Sequence, residues 1–238
     1  MYYLKKFENH NGYESYITGE DVLLPNVSYC ANEVHVHYNP IIVETRLVVK
    51  YNVEDDSNPT PLYFYYVGQQ EGEPSALGVD MFDKVEIDGD EVSVTDLDTA
   101  EGMYQFSMVG EHTVKYTLKD PTSIGDKAFR ECTSLTSIKI PDNVTSIGVG
   151  AFGGCSGLTS VTIGSGVTSI GSQAFQGCSN LTTITSLATT APTIQSTTFQ
   201  NVKTNGTLTV PSGSSGYDVW MGTGDYYLGL YGWTKTEQ

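Results

Sequence analysis

Basic residues are scarce in this chain. Its 238 residues include 12 Lys and Arg against 28 Asp and Glu, a formal net charge of −16. Binding to a duplex releases counterions from phosphates and needs clustered cations; the sequence has no such cluster, so nucleic acid is not expected as a partner. Long apolar runs are also missing. No stretch reaches the roughly 18 residues that cross a bilayer, and Met1 to Asn11 (MYYLKKFENHN) lacks the apolar segment of a signal peptide. Membrane insertion is therefore not expected, and no signal peptide is visible. Histidines number 4, the last being His112, which leaves the C-terminal half without an imidazole base. Neither GxxxxGK[ST] nor GxGxxG occurs in a strand-to-helix context, so no phosphate cradle is indicated.

The acidic excess is uneven. Residues 1–121 carry 22 acidic and 7 basic side chains, and residues 122–238 carry 6 and 5. The second part has an internal period. Ile124, Ile147 and Ile170 stand 23 apart, as do Phe129, Phe152 and Phe175, and Cys132, Cys155 and Cys178. The units read TSIGDKAFRECTSLTSIKIPDNV, TSIGVGAFGGCSGLTSVTIGSGV and TSIGSQAFQGCSNLTTITSLATT. A degenerate fourth runs through Ile194, Phe199 and Val202 to Leu208 and Val210, offset by 24. In each unit alternate residues such as Leu135, Ile138 and Ile140 point inward as in a short strand, while Ala-Phe-x-x-Cys brings in a second apolar side. One unit cannot bury both sides. Coils stacked at about 4.8 Å can, with Ile, Phe, Cys and Leu forming ladders between neighbours. Gly125, Gly148 and Gly171 recur where the coil turns, the place for dihedrals that other residues avoid. Cysteines at a repeated ladder position are expected as free, buried thiols, which leaves Cys30 unpaired.

The skeleton TSIGxxAFxxCxxLTSIxI resembles the repeat of BspA-type leucine-rich proteins, found on the surfaces of Bacteroidales and other microbes. The resemblance runs from Thr122 to Pro211. The final segment, GTLTVPSGSSGYDVWMGTGDYYLGLYGWTKTEQ, is similar to the terminal module that often follows such repeats. Its Tyr217, Trp220, Tyr226, Tyr227, Tyr231 and Trp233 supply aromatic surface to cap the last coil. The resemblance implies an extracellular or cell-surface protein that adheres to host proteins or other cells.

Residues 45–119 switch to period two. RLVVKYNV alternates at Leu47, Val49, Tyr51 and Val53, and PLYFYYV, DKVEI, EVSV, MYQFSM and EHTVKYTL supply further strands. Asp88-Gly89 marks a hairpin. Short antiparallel strands of this kind suggest a β-sandwich, and Gly110 to Leu118 resembles the last strand of bacterial surface immunoglobulin-like modules. Nearer the start, Asn9 or Asn11 is placed to cap a short helix reaching Ile17, and LPNVSYC with EVHVHYNP reads as a small hairpin. This leader also resembles the beginnings of some Bacteroidales surface or phage-borne structural proteins. The expected fold is thus mainly β: a leader over 1–40, an immunoglobulin-like antiparallel sandwich over 41–121, a solenoid over 122–211 and an aromatic cap over 212–238.

Candidate sites are few. His35 and His37 share a strand face with Glu33, a pattern metal sites use, but exposed histidines on a strand surface are the simpler reading. Glu54-Asp55-Asp56 and Asp88-Gly89-Asp90-Glu91 offer clustered carboxylates without the spacing of a calcium loop, and turns are expected there. No metal or cofactor is assigned. Nucleophilic catalysis needs a base beside a hydroxyl or thiol, and the Ser/Thr-rich repeats lack one. The remaining surface is the outer face of the repeat sheet, where Thr136, Lys139, Thr159, Thr162, Thr182 and Thr185 are the candidate binding residues. The expected function is a non-enzymatic, monomeric interaction module that recognises a surface protein or glycan. The alternative is a prophage or virion structural protein with the solenoid facing outward.

Overall fold

The computed structural model describes residues 46–62, 82–99, 103–119, 122–224 and 226–238, together with the backbone of four strands that precede them. Those four form a unit of their own within Met1–Val43. Strand β1 (Leu4–Glu8) pairs antiparallel with β2 (Glu14–Thr18), Leu4 opposite Thr18, and β3 (Ser28–Cys30) pairs with β4 (Glu33–His35), Ser28 opposite His35. The second pair is the expected hairpin. The first replaces the expected helix: Tyr16, Ile17 and Thr18 favour extended backbone, and Asn11-Gly12 in the link between the strands is a turn signal.

The second unit, Glu44–Gln238, is built on one nine-stranded sheet. In chain order its first members are β5 (Arg46–Val53), β7 (Phe82–Ile87), β8 (Asp90–Val92) and β10 (Gly110–Leu118). A two-residue pair lies apart, β6 (Thr60–Pro61) with β9 (Met103–Tyr104), and a six-residue helix α1 (Val94–Thr99) follows β8. The repeats then contribute β12 (Leu135–Lys139), β14 (Ser160–Ile163), β16 (Thr183–Ser186) and β17 (Thr207–Val210), and the chain ends with β18 (Thr234–Glu237). Short strands β11 (Ser123–Ile124), β13 (Ser146–Ile147) and β15 (Ser169–Ile170) form a separate three-stranded parallel sheet on the coil. The long sheet has the order β18-β17-β16-β14-β12-β5-β10-β7-β8. From β12 to β18 it is parallel, as stacked coils require. The result is a mainly β protein with a solenoid of about five turns over residues 123–237.

The sheet continues across the change of composition near Asp120. Strand β5 pairs antiparallel with β10 on one side and with β12 on the other, so Val49 lies opposite both Val114 and Ile138. The physical need is plain. The first coil has no predecessor to pair with its strand, and an unpaired edge is a template for aggregation. β5 covers that edge, and Asn52 N–H adds a 2.8 Å bond to the Ser134 carbonyl. Among the described residues of 41–121, β5, β10, β7 and β8 make a single layer, and the second sheet of an immunoglobulin-like sandwich is not shown.

Inside the coils the expected ladders are present. Phe129, Phe152, Phe175 and Phe199 are buried and stack with ring centroids 5.4, 5.3 and 5.8 Å apart and interplanar angles of 5, 10 and 9°. Tyr116 and Phe82 close one end of the column, at 5.3 and 6.1 Å from Phe129. Trp220 closes the other, at 5.3 Å from Phe199. The indole N–H groups reach carbonyls, Trp220 that of Pro192 at 2.9 Å and Trp233 that of Lys203 at 2.7 Å. β18 places Lys235 and Glu237 opposite Leu208 and Val210, where a further coil would need apolar residues. Charges at that register discourage another strand from adding.

The glycines divide differently from expectation. Gly125, Gly148 and Gly171 do not have positive φ. At Gly148 a Cβ would lie 2.5 Å from the Asp126 amide nitrogen, and at Gly171 2.7 Å from the Gly148 carbonyl carbon. These positions are small because successive coils approach there, not because the backbone is left-handed. Two other columns are left-handed: Lys127, Gly150 and Gln173, with φ of 57, 62 and 60°, and Glu131, Gly154, Gly177 and Asn201, with φ of 60, 77, 72 and 60°.

Two outcomes are expected. Replacing Glu131 by Gly relieves a left-handed non-glycine residue and should raise stability in urea unfolding by about 0.5–1 kcal/mol; an unchanged or lower stability contradicts the strain. A fragment of residues 122–238 loses β5, Tyr116 and Phe82 from its first coil. It should aggregate or melt well below the full chain by circular dichroism, and an equally stable, monomeric fragment would refute the capping role.

Candidate functional site

The six residues singled out on the repeat face fall into two ladders with different fates. Thr136, Thr159 and Thr182 spend their hydroxyls on the backbone of the preceding strand. Thr136 Oγ1 donates to the Lys50 carbonyl at 3.2 Å, Thr159 Oγ1 to Thr136 O at 3.0 Å and Thr182 Oγ1 to Thr159 O at 3.3 Å. They tie coils together. Lys139, Thr162 and Thr185 instead lie in one register, Lys139 opposite Thr162 and Thr162 opposite Thr185, on the outward positions of β12, β14 and β16.

That column continues through Thr209 and Thr236, whose hydroxyls are 3.2 Å apart. A second column, Ser137, Ser160, Thr183, Thr207 and Thr234, runs beside it. Sequence reading stopped at Thr185 because the period lengthens from 23 to 24 and then 27 at this position. The recurring Thr-x-Thr of TIT, TLT and TKT was the available signal.

The same face is charged on the N-terminal strands. Lys84 contacts Glu86 at 3.0 Å and Glu91 at 2.9 Å, Lys50 contacts Glu111 at 2.6 Å, and Arg46 and Lys115 lie 3.8 and 3.9 Å from Glu86. Pairs this exposed contribute little stability. They leave the hydroxyl columns flanked by a mixed-charge field.

A cleft of about 520 Å³ lies where the loop after β5 faces the ends of the coils. Asn52, Glu54, Asp55 and Asn58 line one side, and Ser134, Gly157 and Asn180 line the other. The loop wall is held from behind. Tyr51 and Tyr116 are buried and both donate to the Leu62 carbonyl, at 2.6 and 2.8 Å. The Gln105 side-chain amide donates to the Asp56 carbonyl. Within the loop, Asp55 Oδ1 accepts from the Ser57 amide at 2.9 Å and from the Ser57 hydroxyl at 2.5 Å, and Oδ2 accepts from Asn58 Nδ2 at 2.8 Å. Those bonds, the Ser57 hydroxyl foremost, hold the Asp55 carboxyl below its usual pKa.

Chemistry that needs a nucleophile finds poor material here. Cys132, Cys155 and Cys178 are buried and free of disulfides. Burial pushes Cys178 up to about 12 and lifts Cys132 and Cys155 well above a thiol's ordinary range. Cys155 Sγ donates to the Phe129 carbonyl at 2.9 Å and Cys178 Sγ to that of Phe152 at 3.2 Å, so these thiols act as small ladder residues. Among the described residues no group of three or more His, Cys, Asp or Glu is placed to hold a metal ion. His37 lies outside the described residues, and of Cys30 and His35 only the backbone is described. The two acidic segments form turns. Asp88-Gly89 is the tight turn between β7 and β8, with φ of 52 and 100°.

His112, on the face of β10 that carries Val114 and Tyr116, is buried and paired. Nδ1 lies 2.6 Å from Asp88 Oδ2 and Nε2 2.9 Å from the Met108 carbonyl. Both partners are acceptors, so the ring must donate from both nitrogens, which defines the imidazolium. Its ring centroid lies 4.2 Å from that of Phe106, the two planes tilted by 35°. Burial opposes the charge, yet the bonds to Asp88 and Met108 and the Asp88 charge outweigh it and raise the His112 pKa. Burial likewise opposes the Asp88 charge, and the bonds from His112 and the Thr113 amide overcome it and lower the Asp88 pKa.

Residues 111–218 match the BspA type Leucine rich repeat region (6 copies). No curated protein and no solved structure matches the chain. The solenoid is therefore of BspA-like leucine-rich-repeat type, and regions of this kind generally mediate protein binding rather than catalysis.

The His112–Asp88 pair generates a pH prediction. The raised His112 pKa stabilises the fold fully below the unfolded value near ~6.5 and loses its contribution as pH rises through the folded value. The lowered Asp88 pKa contributes above the unfolded value near ~3.9 and fails as pH falls through the folded one. Urea unfolding should show the pair's contribution greatest between those unfolded values and declining toward alkaline pH. His112→Gln should flatten that decline, and an identical pH profile for the variant would rule the pair out.

Proposed function

We propose that the chain is a non-enzymatic interaction module acting at a cell surface, where the solenoid presents a flat outer sheet to a protein partner in adhesion or recognition. The observation that carries this reading is a pair of columns in register across five parallel strands, one of five hydroxyls and one of four that begins at Lys139. They are held on a scaffold whose thiols and Thr136, Thr159 and Thr182 hydroxyls are consumed internally. Such a face offers many weak, evenly spaced hydrogen bonds and threonine methyls over an area that needs no ordering on binding, which favours rigid docking. The BspA-type match supports protein as the partner class, and proteins with these repeats are typically surface-associated. Among the described residues no helix is long and apolar enough to cross a membrane.

Binding of the immobilised full chain to a panel of host extracellular-matrix and microbial surface proteins tests the reading. At least one panel member should bind saturably. The double variant Thr162→Arg/Thr185→Arg, which changes only outward side chains, should weaken that binding by about tenfold or more, a cost of about 1.4 kcal/mol. A panel without saturable binding would overturn the module, and binding indifferent to the double variant would overturn this choice of face.

A further inference from the structure

The cleft beside the β5 loop differs from the threonine face in what it has left to offer. Two of its side-chain amides commit their donors within the fold. Asn58 spends Nδ2 on Asp55 and Ser57, at 2.8 and 3.2 Å. Asn180 spends Nδ2 on the Ser156 carbonyl at 2.9 Å. Each carboxamide is thereby turned so that its oxygen remains to accept. Glu54 adds an exposed carboxylate, and none of the residues lining the cleft is Lys, Arg or His. Gly157 packs closely on the preceding coil, where a Cβ would meet the Thr133 carbonyl oxygen, and it lines the cleft between Ser134 and Asn180 without a side chain of its own.

We propose, building on the interaction-module reading, that this cleft accepts a lysine or arginine side chain presented by an exposed loop of the protein partner. An ammonium brings three donors and a guanidinium five, with no acceptor, the complement of the Asn58 and Asn180 oxygens and the Glu54 carboxylate. The chain's formal charge of −16, with most of the excess in residues 1–121 from which the loop comes, would steer a basic segment toward it. Other ligand classes fit less well. No aromatic side chain lines the cleft to stack a sugar ring. An anion would meet carboxylates without a cation. A divalent ion would need several converging oxygens, and both Asp55 oxygens are already engaged within the loop. The tyrosine clamp on Leu62 and the bond from Gln105 to Asp56 hold the loop in place before binding.

The test is a nitrogen-15 NMR titration of the full chain with blocked Gly-Lys-Gly and Gly-Arg-Gly peptides, with Gly-Gln-Gly as the neutral control. The two basic peptides should shift Asn52, Asn58, Gly157 and Asn180 resonances saturably, and the glutamine peptide should not. Glu54→Gln, an exposed change, should weaken the response about two- to fivefold, whereas Thr162→Arg/Thr185→Arg should leave it unchanged. The proposal is overturned if the glutamine peptide acts equally, if the shifts centre on the acidic strands β7 and β8, or if calcium chloride or glucose alone reproduces them. The outcome is separable from that of the protein panel. A silent cleft with a panel protein bound rejects the cleft alone, and a responsive cleft with an empty panel rejects the module reading.

Discussion

The aromatic column along the axis of the repeats is the constraint on which the rest of the structure depends. A stacked ring is useful only if both its faces are covered, so each Phe requires a neighbour, and the two ends require something other than another repeat. Tyr116 and Phe82 supply one terminus and Trp220 the other. The composition of the flanking segments follows from this demand. The acidic N-terminal strands must donate an aromatic lid and a pairing strand, and the C-terminal segment must donate an indole whose N–H can find a carbonyl. Stability in such an array is a sum over neighbour contacts, which makes the two ends as important as the middle.

Because the coils are fixed by their interior, the exterior is left to be chosen. Three devices share the outside of the solenoid. Thr136, Thr159 and Thr182 reinforce the stacking by bonding backbone to the preceding strand. The columns ending at Thr234 and Thr236 form a regular hydroxyl surface. The coil ends at Ser134, Gly157 and Asn180 meet the β5 loop in a cleft rich in acceptors. A hydrogen-bonding group already satisfied within the fold cannot be offered again to a partner without cost. That accounting, rather than residue type, separates the first device from the other two.

The same accounting applies to the thiols and threonines of the repeats. A thiol in a closed ladder is held neutral by burial, and the hydroxyls of Thr136, Thr159 and Thr182 are tied to strand carbonyls. The titrating pair of His112 with Asp88 is directed inward. It fastens the β7–β8 turn and the Met108 carbonyl to β10, a structural use of an imidazolium.

The sequence by itself determined the solenoid. A period of 23 carries Ile, Phe, Cys and Leu in one register, and only stacked coils bury all four, so fold type, ladder membership and the buried state of the cysteines could be read from residue spacing. The period-two strands at Leu47–Val53 and Gly110–Leu118 and the turn at Asp88-Gly89 were legible for the same reason: local alternation and turn chemistry are local facts. Long-range pairing was not. That β5 would lie between β10 and β12 depends on an edge left open more than eighty residues later in the chain, and alternation says which face is buried, not which strand comes next. The reason for Gly148 and Gly171 was equally hidden, since close approach between coils exists only once they are stacked. Tertiary structure alone decided which of the six candidate side chains remain available. Thr159 and Thr162 are equally plausible in the sequence, but one hydroxyl meets a carbonyl of the neighbouring strand and the other faces outward, a difference set by the direction of each side chain on a pleated strand.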